Sequence, residues 1–255
     1  MMAHELNGRH ALVTGGGTGI GLAIARALAG AGAQVTITGR RPEVLEEAAQ
    51  ATAGLHARSM DVTDEASVAS AISAAIADRG PVDICVANAG IAEGRGLAKT
   101  DLEFWRRIMT TNLDGAFLTI RECMASMHAL PWGRVIAVSS IAGIKGSRGT
   151  CAYPASTPGV LGLIRALSVD YMGKGITFNA LCPGYVDTAI IEQNTTLISE
   201  RTGMSAGEAR AVMVDQNPHG RLIKPAEVAA AALWLCAPGS DSVNGQAVEI
   251  AGGQV

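Results

Sequence analysis

The chain has 255 residues, 48% of them hydrophobic and 17% charged, long and apolar enough for one sizeable domain over residues 1–255. Its 31 glycines show no collagen period and its 9 prolines are too few for a low-complexity chain, so the glycines point to tight turns and close backbone approaches. A net charge of −3 supplies no general attraction for nucleic acid or an anionic membrane, and neither is expected as a partner.

The chain opens Met1-Met2-Ala3-His4-Glu5, without the basic-then-apolar pattern of a signal segment. Its longest apolar stretch, 228–237, falls far short of the ~20 residues that span a bilayer. Five scattered cysteines (Cys85, Cys123, Cys151, Cys182, Cys236) have no CxxC spacing, so no metal site is expected and a reduced, cytoplasmic setting is. From residue 10 onward, short apolar runs alternate with longer stretches of helical period. Strands are predicted at 10–14, 34–38, 55–60, 83–87, 134–139, 177–181 and 247–250, and helices at 19–29, 42–51, 64–78, 101–128, 158–172 and 225–237. That rhythm is the signature of an α/β fold, with parallel strands joined by crossover helices. Thr63 or Asp64 before Glu65, and Lys224 before Pro225, are helix-start signals. The long connection 188–221 contains no strand, carries a short helical period around 206–214, and is predicted to be a substrate lid.

The first strand runs straight into Thr14, Gly15, Gly16, Gly17, Thr18, Gly19, Ile20 and Gly21, and then into an Ala/Leu-rich helix. A turn without Cβ atoms lets backbone N–H groups and the positive end of that helix approach a pyrophosphate. Glycines at 15, 19 and 21 spell TGxxxGxG rather than GxGxxG. Further motifs follow in order: Asp61-Val62 after the third strand, Asn88-Ala89-Gly90 after the fourth, Asn112 within a predicted long helix, Ser139-Ser140 at the end of the fifth strand, Tyr153 thirteen residues after Ser140, and Pro183-Gly184 followed by Val186 and Thr188. In this order and at these intervals the chain resembles the short-chain dehydrogenase/reductase family over nearly its whole length. The resemblance implies a single Rossmann-like doubly wound parallel sheet of about seven strands with helices on both faces. It implies an oxidoreductase in which Tyr153 passes a proton to a carbonyl oxygen, Ser140 hydrogen-bonds that oxygen, and Asn112 completes the polar centre. It also implies that Gly15, Gly17, Thr18, Gly19, Ile20, Gly21, Asp61, Val62, Asn88, Ala89, Gly90, Pro183, Gly184, Val186 and Thr188 hold a nicotinamide dinucleotide. Family members commonly form homotetramers or dimers through two long helices. Here these correspond to 101–128 and the helix after Tyr153, so that Met124, Met127 and Leu130 serve either that contact or the core.

At the end of the second strand, a carboxylate would hydrogen-bond the ribose 2′-hydroxyl of NAD. This chain has Gly39 followed by Arg40 and Arg41, two guanidinium groups able to receive a 2′-phosphate, which favours NADP(H) over NAD(H). The family's tyrosine is followed four residues later by lysine, whereas Tyr153 is followed by Thr157, which carries no charge. Lys145, in the loop after the fifth strand, is a candidate replacement. Two placements of the local helix compete: a start at Pro154 with a kink at Pro158, or a start at Pro158 capped by Thr157. Fold context favours the first. The expected activity is interconversion of a ketone and a secondary alcohol, slowed by the missing lysine. The alternatives are a catalytically silent dinucleotide-binding protein or a different reaction on the same scaffold.

Overall fold

Most of the strand runs are built from apolar and β-branched residues that tolerate burial on both faces, as a sheet covered by helices requires. The computed structural model describes residues 5–147 and 149–254; Met1–His4, on which the signal-segment reading rests, lie outside them. Seven strands, β1 (His10–Thr14), β2 (Gln34–Gly39), β3 (Leu55–Ser59), β4 (Ile84–Ala87), β5 (Gly133–Val138), β6 (Ile176–Pro183) and β7 (Ala247–Ile250), form one sheet. All its pairings are parallel, in the order β3-β2-β1-β4-β5-β6-β7. The α-helices are α1 (Gly19–Gly30), α2 (Pro42–Gln50), α3 (Glu65–Arg79), α4 (Leu102–Met109), α5 (Gly115–Met127), α6 (Ala152–Asp170), α7 (Ala189–Thr202), α8 (Ala206–Val214) and α9 (Pro225–Cys236).

Alternation along the strands divides the apolar side chains between two cores. Ala11 and Val13 pack with Ile24, Leu28, Leu45 and Val228 under α1, α2 and α9, whereas Leu12 packs with Val68, Ile72, Ile120 and Ile164 under α3, α5 and α6. Helices therefore cover both faces, the doubly wound Rossmann-like arrangement. Strand order reverses between β1 and β4, and a crevice opens beyond the carboxyl ends of those strands. Among the described residues, no helix is long and apolar enough to cross a membrane.

Three expectations are corrected. The predicted helix 101–128 is two α-helices, α4 and α5, joined by a π segment at Thr110–Asp114, whose wider turn is invisible to a 3.6-residue period. The helix expected to start at Pro154 or Pro158 starts at Ala152 and continues through Pro158. Pro154 falls in the first turn, where a backbone N–H has no intrahelical acceptor in any case. The connection 188–221 contains α7 as well as α8. Thr195, Thr196 and Thr202 lower its apparent helicity, but each hydroxyl donates to the carbonyl four residues earlier. Gly203, with φ +75°, ends this helix in the left-handed conformation. Met124 and Met127 are both core residues.

The start of α9 shows how local charge fixes an element that packs against α1. The Glu227 carboxylate accepts both terminal guanidinium nitrogens of Arg221 (2.6 and 2.8 Å) and the Lys224 N–H (2.8 Å), which holds its pKa down to about 2. A carboxylate whose folded pKa lies below its unfolded value contributes stability above the unfolded pKa of about 4.3 and loses it as pH falls towards the folded value. Thermal melts should show Glu227→Gln below the parent protein at neutral pH, with the two curves converging as pH approaches 2; a gap of constant size would contradict this assignment.

Candidate active site

β1 delivers Thr14 and then Gly15 into the crevice. Gly15 has φ +64°, and at Gly21, within the first turn of α1, a Cβ would lie 2.4 Å from the Gly15 carbonyl oxygen and 2.5 Å from Asn88 Nδ2. The N-cap, Thr18, makes no side-chain cap bond, so the first N–H groups of α1 get no partner from it, beside a cleft that Thr18, Gly19 and Ile20 line. A cradle closed to side chains at an uncapped helix N-terminus fits a pyrophosphate. The turn is fixed from β4: Thr14 Oγ1 accepts the Asn88 and Ala89 N–H groups, both at 2.9 Å, and Asn88 Nδ2 donates to the Thr14 carbonyl at 2.8 Å. The Asn88 side chain is thus engaged in holding the turn.

The same cleft, about 240 Å³ in volume, reaches Asn112, Ser139, Tyr153 and Thr157. The π segment carries Asn112, whose amide is fully engaged: Oδ1 accepts the Ile91 N–H (2.9 Å), and Nδ2 donates to the Ile91 carbonyl (3.0 Å) and to Ser156 Oγ (3.1 Å). Ser140 caps a 3-10 turn, Ile141–Gly143, and its oxygen accepts the Ala142 N–H at 3.1 Å, which leaves its proton for the Tyr153 phenol oxygen beside it. Burial pushes the Tyr153 phenol above its usual pKa, the Ser140 hydroxyl pulls it down, and Tyr185 and Cys182 push it further up. Among the described residues, no cation acts on it. Lys145 is not among the groups that act on the phenol; its ammonium donates to the Gln254 carbonyl at 3.1 Å. Thr157 is buried, and its hydroxyl donates to the Tyr153 carbonyl at 3.2 Å.

Of the residues predicted from sequence, Gly15, Thr18, Gly19, Ile20, Gly21, Asn88, Ala89, Gly90, Asn112, Tyr153 and Thr188 line this cleft. Gly17 instead packs towards Val44 and Leu45, and Val62 is a core residue against Gly115. Arg40 and Arg41 are exposed after β2, and among the described residues neither has an ion-pair partner. Asp61 is held below the usual carboxylate range chiefly by the Thr63 N–H, with a smaller pull from Arg40. Pro183 ends β6, Gly184 donates its N–H to the Ile250 carbonyl at 3.0 Å, and Val186 bridges to Ile223; these three shape the segment that delivers Thr188 to the cleft. Sequence reasoning missed the apolar walls Ile91, Ala92, Val138 and Val160, while Ile190 belongs to the segment predicted as the lid. Val160 lies on the same face as Tyr153 and Thr157, at the i+4 and i+7 spacing a helix provides, and that spacing was a usable signal.

An alanine at position 21 must displace backbone or Asn88, and overpacking of this kind costs about 1–3 kcal/mol. Gly21→Ala should therefore melt several degrees below the parent by circular dichroism, and an unchanged melt would show that the turn yields without penalty.

Comparison with known proteins places this geometry. Residues 9–197 match the family described as short chain dehydrogenase. The chain is 38% identical over 194 residues to a cis-4-hydroxycyclohexanecarboxylate dehydrogenase of Sinomonas cyclohexanicum, covering 76% of this chain and 74% of that one. It is 35% identical over 247 residues to an acetoacetyl-CoA reductase of Rhizobium meliloti (strain 1021), covering 96% and 98%. The crystal structure of a single-site variant of the actinorhodin polyketide ketoreductase with NADPH superposes with a TM-score of 0.92 at 33% identity, covering 96% of this chain and 97% of that one. A fold with both helical layers in place, a closed glycine turn at its crevice and so close a likeness over the full length allow one conclusion: the chain belongs to the short-chain dehydrogenase family of NAD(P)-binding oxidoreductases.

Proposed function

We propose that this protein is an NADP(H)-dependent oxidoreductase that interconverts a ketone and a secondary alcohol. The observation that carries the reading is the convergence of the uncapped α1 N-terminus and the Tyr153 phenol on one cleft. The relatives named acetoacetyl-CoA reductase and D-beta-hydroxybutyrate dehydrogenase, and the ketoreductase solved with NADPH, support the same chemistry. Gly15 to Gly21 and the start of α1 would hold the pyrophosphate, Asn88 to Gly90 would form the wall beside it, and Thr188 would meet the nicotinamide end. Arg40 and Arg41 would receive a 2′-phosphate, the basis for preferring NADP(H). When bound, the cofactor supplies or accepts the hydride.

The residues of the chain manage the proton. Tyr153 is neutral at pH 7, because among the described residues nothing offsets its burial with positive charge, and as a phenol it donates to the oxygen of a bound ketone. Ser140 donates a second hydrogen bond to the same oxygen. Reduction is therefore served by the resting protonation state. Oxidation needs the phenolate, which for a tyrosine of pKa about 10 or above is at most ~10⁻³ of the population at neutral pH. Residues 188–221, with Ile190 on the cleft and Arg201 bonded to the Gly94 carbonyl at 2.9 Å, are proposed as the lid over a small-molecule substrate. A groove between α5 and α6, lined by Phe117, Leu163, Leu167 and Tyr171 together with Arg121 and His128 and floored by the core residues Ile120 and Met124, supports a homo-oligomer, dimer or tetramer, built on these helices. The five cysteines are all free, which suits a reducing cytoplasm. The second reading, a protein that binds the dinucleotide without turnover, is favoured by the lack, among the described residues, of a cation acting on Tyr153.

Calorimetric titration should give tighter binding of NADPH than of NADH, and Arg40→Ala should remove about ten-fold or more of that preference; equal affinities would refute the cofactor assignment. Alcohol oxidation should keep rising past pH 10, because the phenol gains its charge only there. Thr157→Lys should bring that limb down and raise the rate at neutral pH, within the 10²–10⁴-fold range of positioned acid–base catalysis. NADPH binding without reduction of any ketone, in both the parent and Thr157→Lys, would establish the silent reading instead.

A further inference from the structure

Ser156 is wholly buried one turn below Tyr153, and the reading above gives it no role. Its hydroxyl is nevertheless the middle link of a continuous chain. Asn112 Nδ2 donates to Ser156 Oγ at 3.1 Å, and Ser156 Oγ donates to the Tyr153 carbonyl at 2.9 Å. At the other end, Asn112 grips both backbone groups of Ile91, a residue of the cleft wall after β4. Ile91, Asn112, Ser156 and Tyr153 therefore join the cleft wall, the π segment and the first turn of α6 by one chain of hydrogen bonds, whose central link from Asn112 to Ser156 is buried, where such a bond counts most.

The first turn of α6 needs such an external tie. A helix fixes each carbonyl by the N–H four residues on, and the Pro154 carbonyl has none, because residue 158 is proline. The backbone that carries Tyr153 is thus less constrained by its own helix than an ordinary first turn. We propose that Ser156 is a positioning residue: through the Tyr153 carbonyl it fixes the approach of the phenol to the cleft, in place of the constraint lost at Pro158. The proposal rests on Tyr153 being the proton donor. The Thr157 hydroxyl reaches the same carbonyl from within α6, whereas Ser156 also accepts from Asn112 and so ties that carbonyl to the opposite wall.

The test is Ser156→Ala, with Ser156→Thr as the variant that keeps the hydroxyl. For ketone reduction by the full chain with NADPH, Ser156→Ala should lower kcat about ten-fold, the scale of a small misplacement of a reacting group, with KM for the ketone and Kd for NADPH nearly unchanged. Ser156→Thr should recover most of the loss. Amide hydrogen exchange should quicken at Ile91 and Thr157 in Ser156→Ala and leave β1 and β4 unaffected. An unchanged kcat, or a fall in melting temperature with kcat intact, would overturn the proposal. If the parent reduces no ketone, the functional reading fails separately, and exchange decides the tie: unchanged rates at Ile91 and Thr157 overturn it, faster rates support it. Should Ser156→Ala not fold, Ser156→Cys, of similar size and a weak donor, takes its place.

Discussion

The Thr14 hydroxyl is the contact on which the site depends. It accepts two backbone N–H groups from the end of β4, Asn88 and Ala89, and the Asn88 amide returns a bond to the Thr14 carbonyl. These bonds are made where β1 and β4 leave the sheet and their connections depart to opposite faces. Without them the glycine turn would keep only its tie to β2, the Gly16 N–H donating to the Thr38 carbonyl at 3.1 Å, and the close approach of Gly21 to Gly15 would lose its support from β4. One hydroxyl therefore sets the distance between the turn that would take a phosphate and the wall that continues to Ile91 and Asn112.

A second constraint governs the other end of the cleft. Tyr153 is carried by a helix that begins at Ala152 and contains two prolines, and among the described residues its phenol is buried by groups that give it no positive charge. The surroundings compensate geometrically rather than electrostatically. Hydroxyls at Ser156 and Thr157 converge on the Tyr153 carbonyl, and Ser139 Oγ donates to the Thr157 carbonyl at 3.2 Å, tying α6 to the end of β5. The result is a well-placed phenol that resists ionisation.

Much of this was legible in the sequence because it is written in local pattern. The strand runs and the glycine spacing 15-19-21 each correspond to one element or one turn, and the interval from Ser140 to Tyr153 is a short fixed spacing from the end of β5 to the start of α6. What escaped depends on contacts between distant segments. The start of α6 is decided by burial of Ala152, Ser156 and Thr157 against other elements, which outweighs the local signal of two prolines. Helix α7 was hidden by three threonines whose hydroxyls bond back to their own helix, a compensation that propensity does not count. The engagement of Lys145 by Gln254 joins residues more than a hundred positions apart, and no spacing rule reaches that far.

The π segment at Thr110–Asp114 bears on how this region of the chain can change. A π turn holds one residue more than an α turn, so a single deletion there would restore ordinary winding between α4 and α5. Because the wider turn absorbs that residue, α5 keeps its phase without it, and Ala116, Ile120, Cys123 and Met127 would stay in the core they share with α3 and α6. The change would fall inside the turn, where Asn112 would lose the place from which its amide meets Ile91 and Ser156. The surplus residue thus uncouples the two: the reach of one amide is set within the turn, and the inward face of the helix that follows is left as it was.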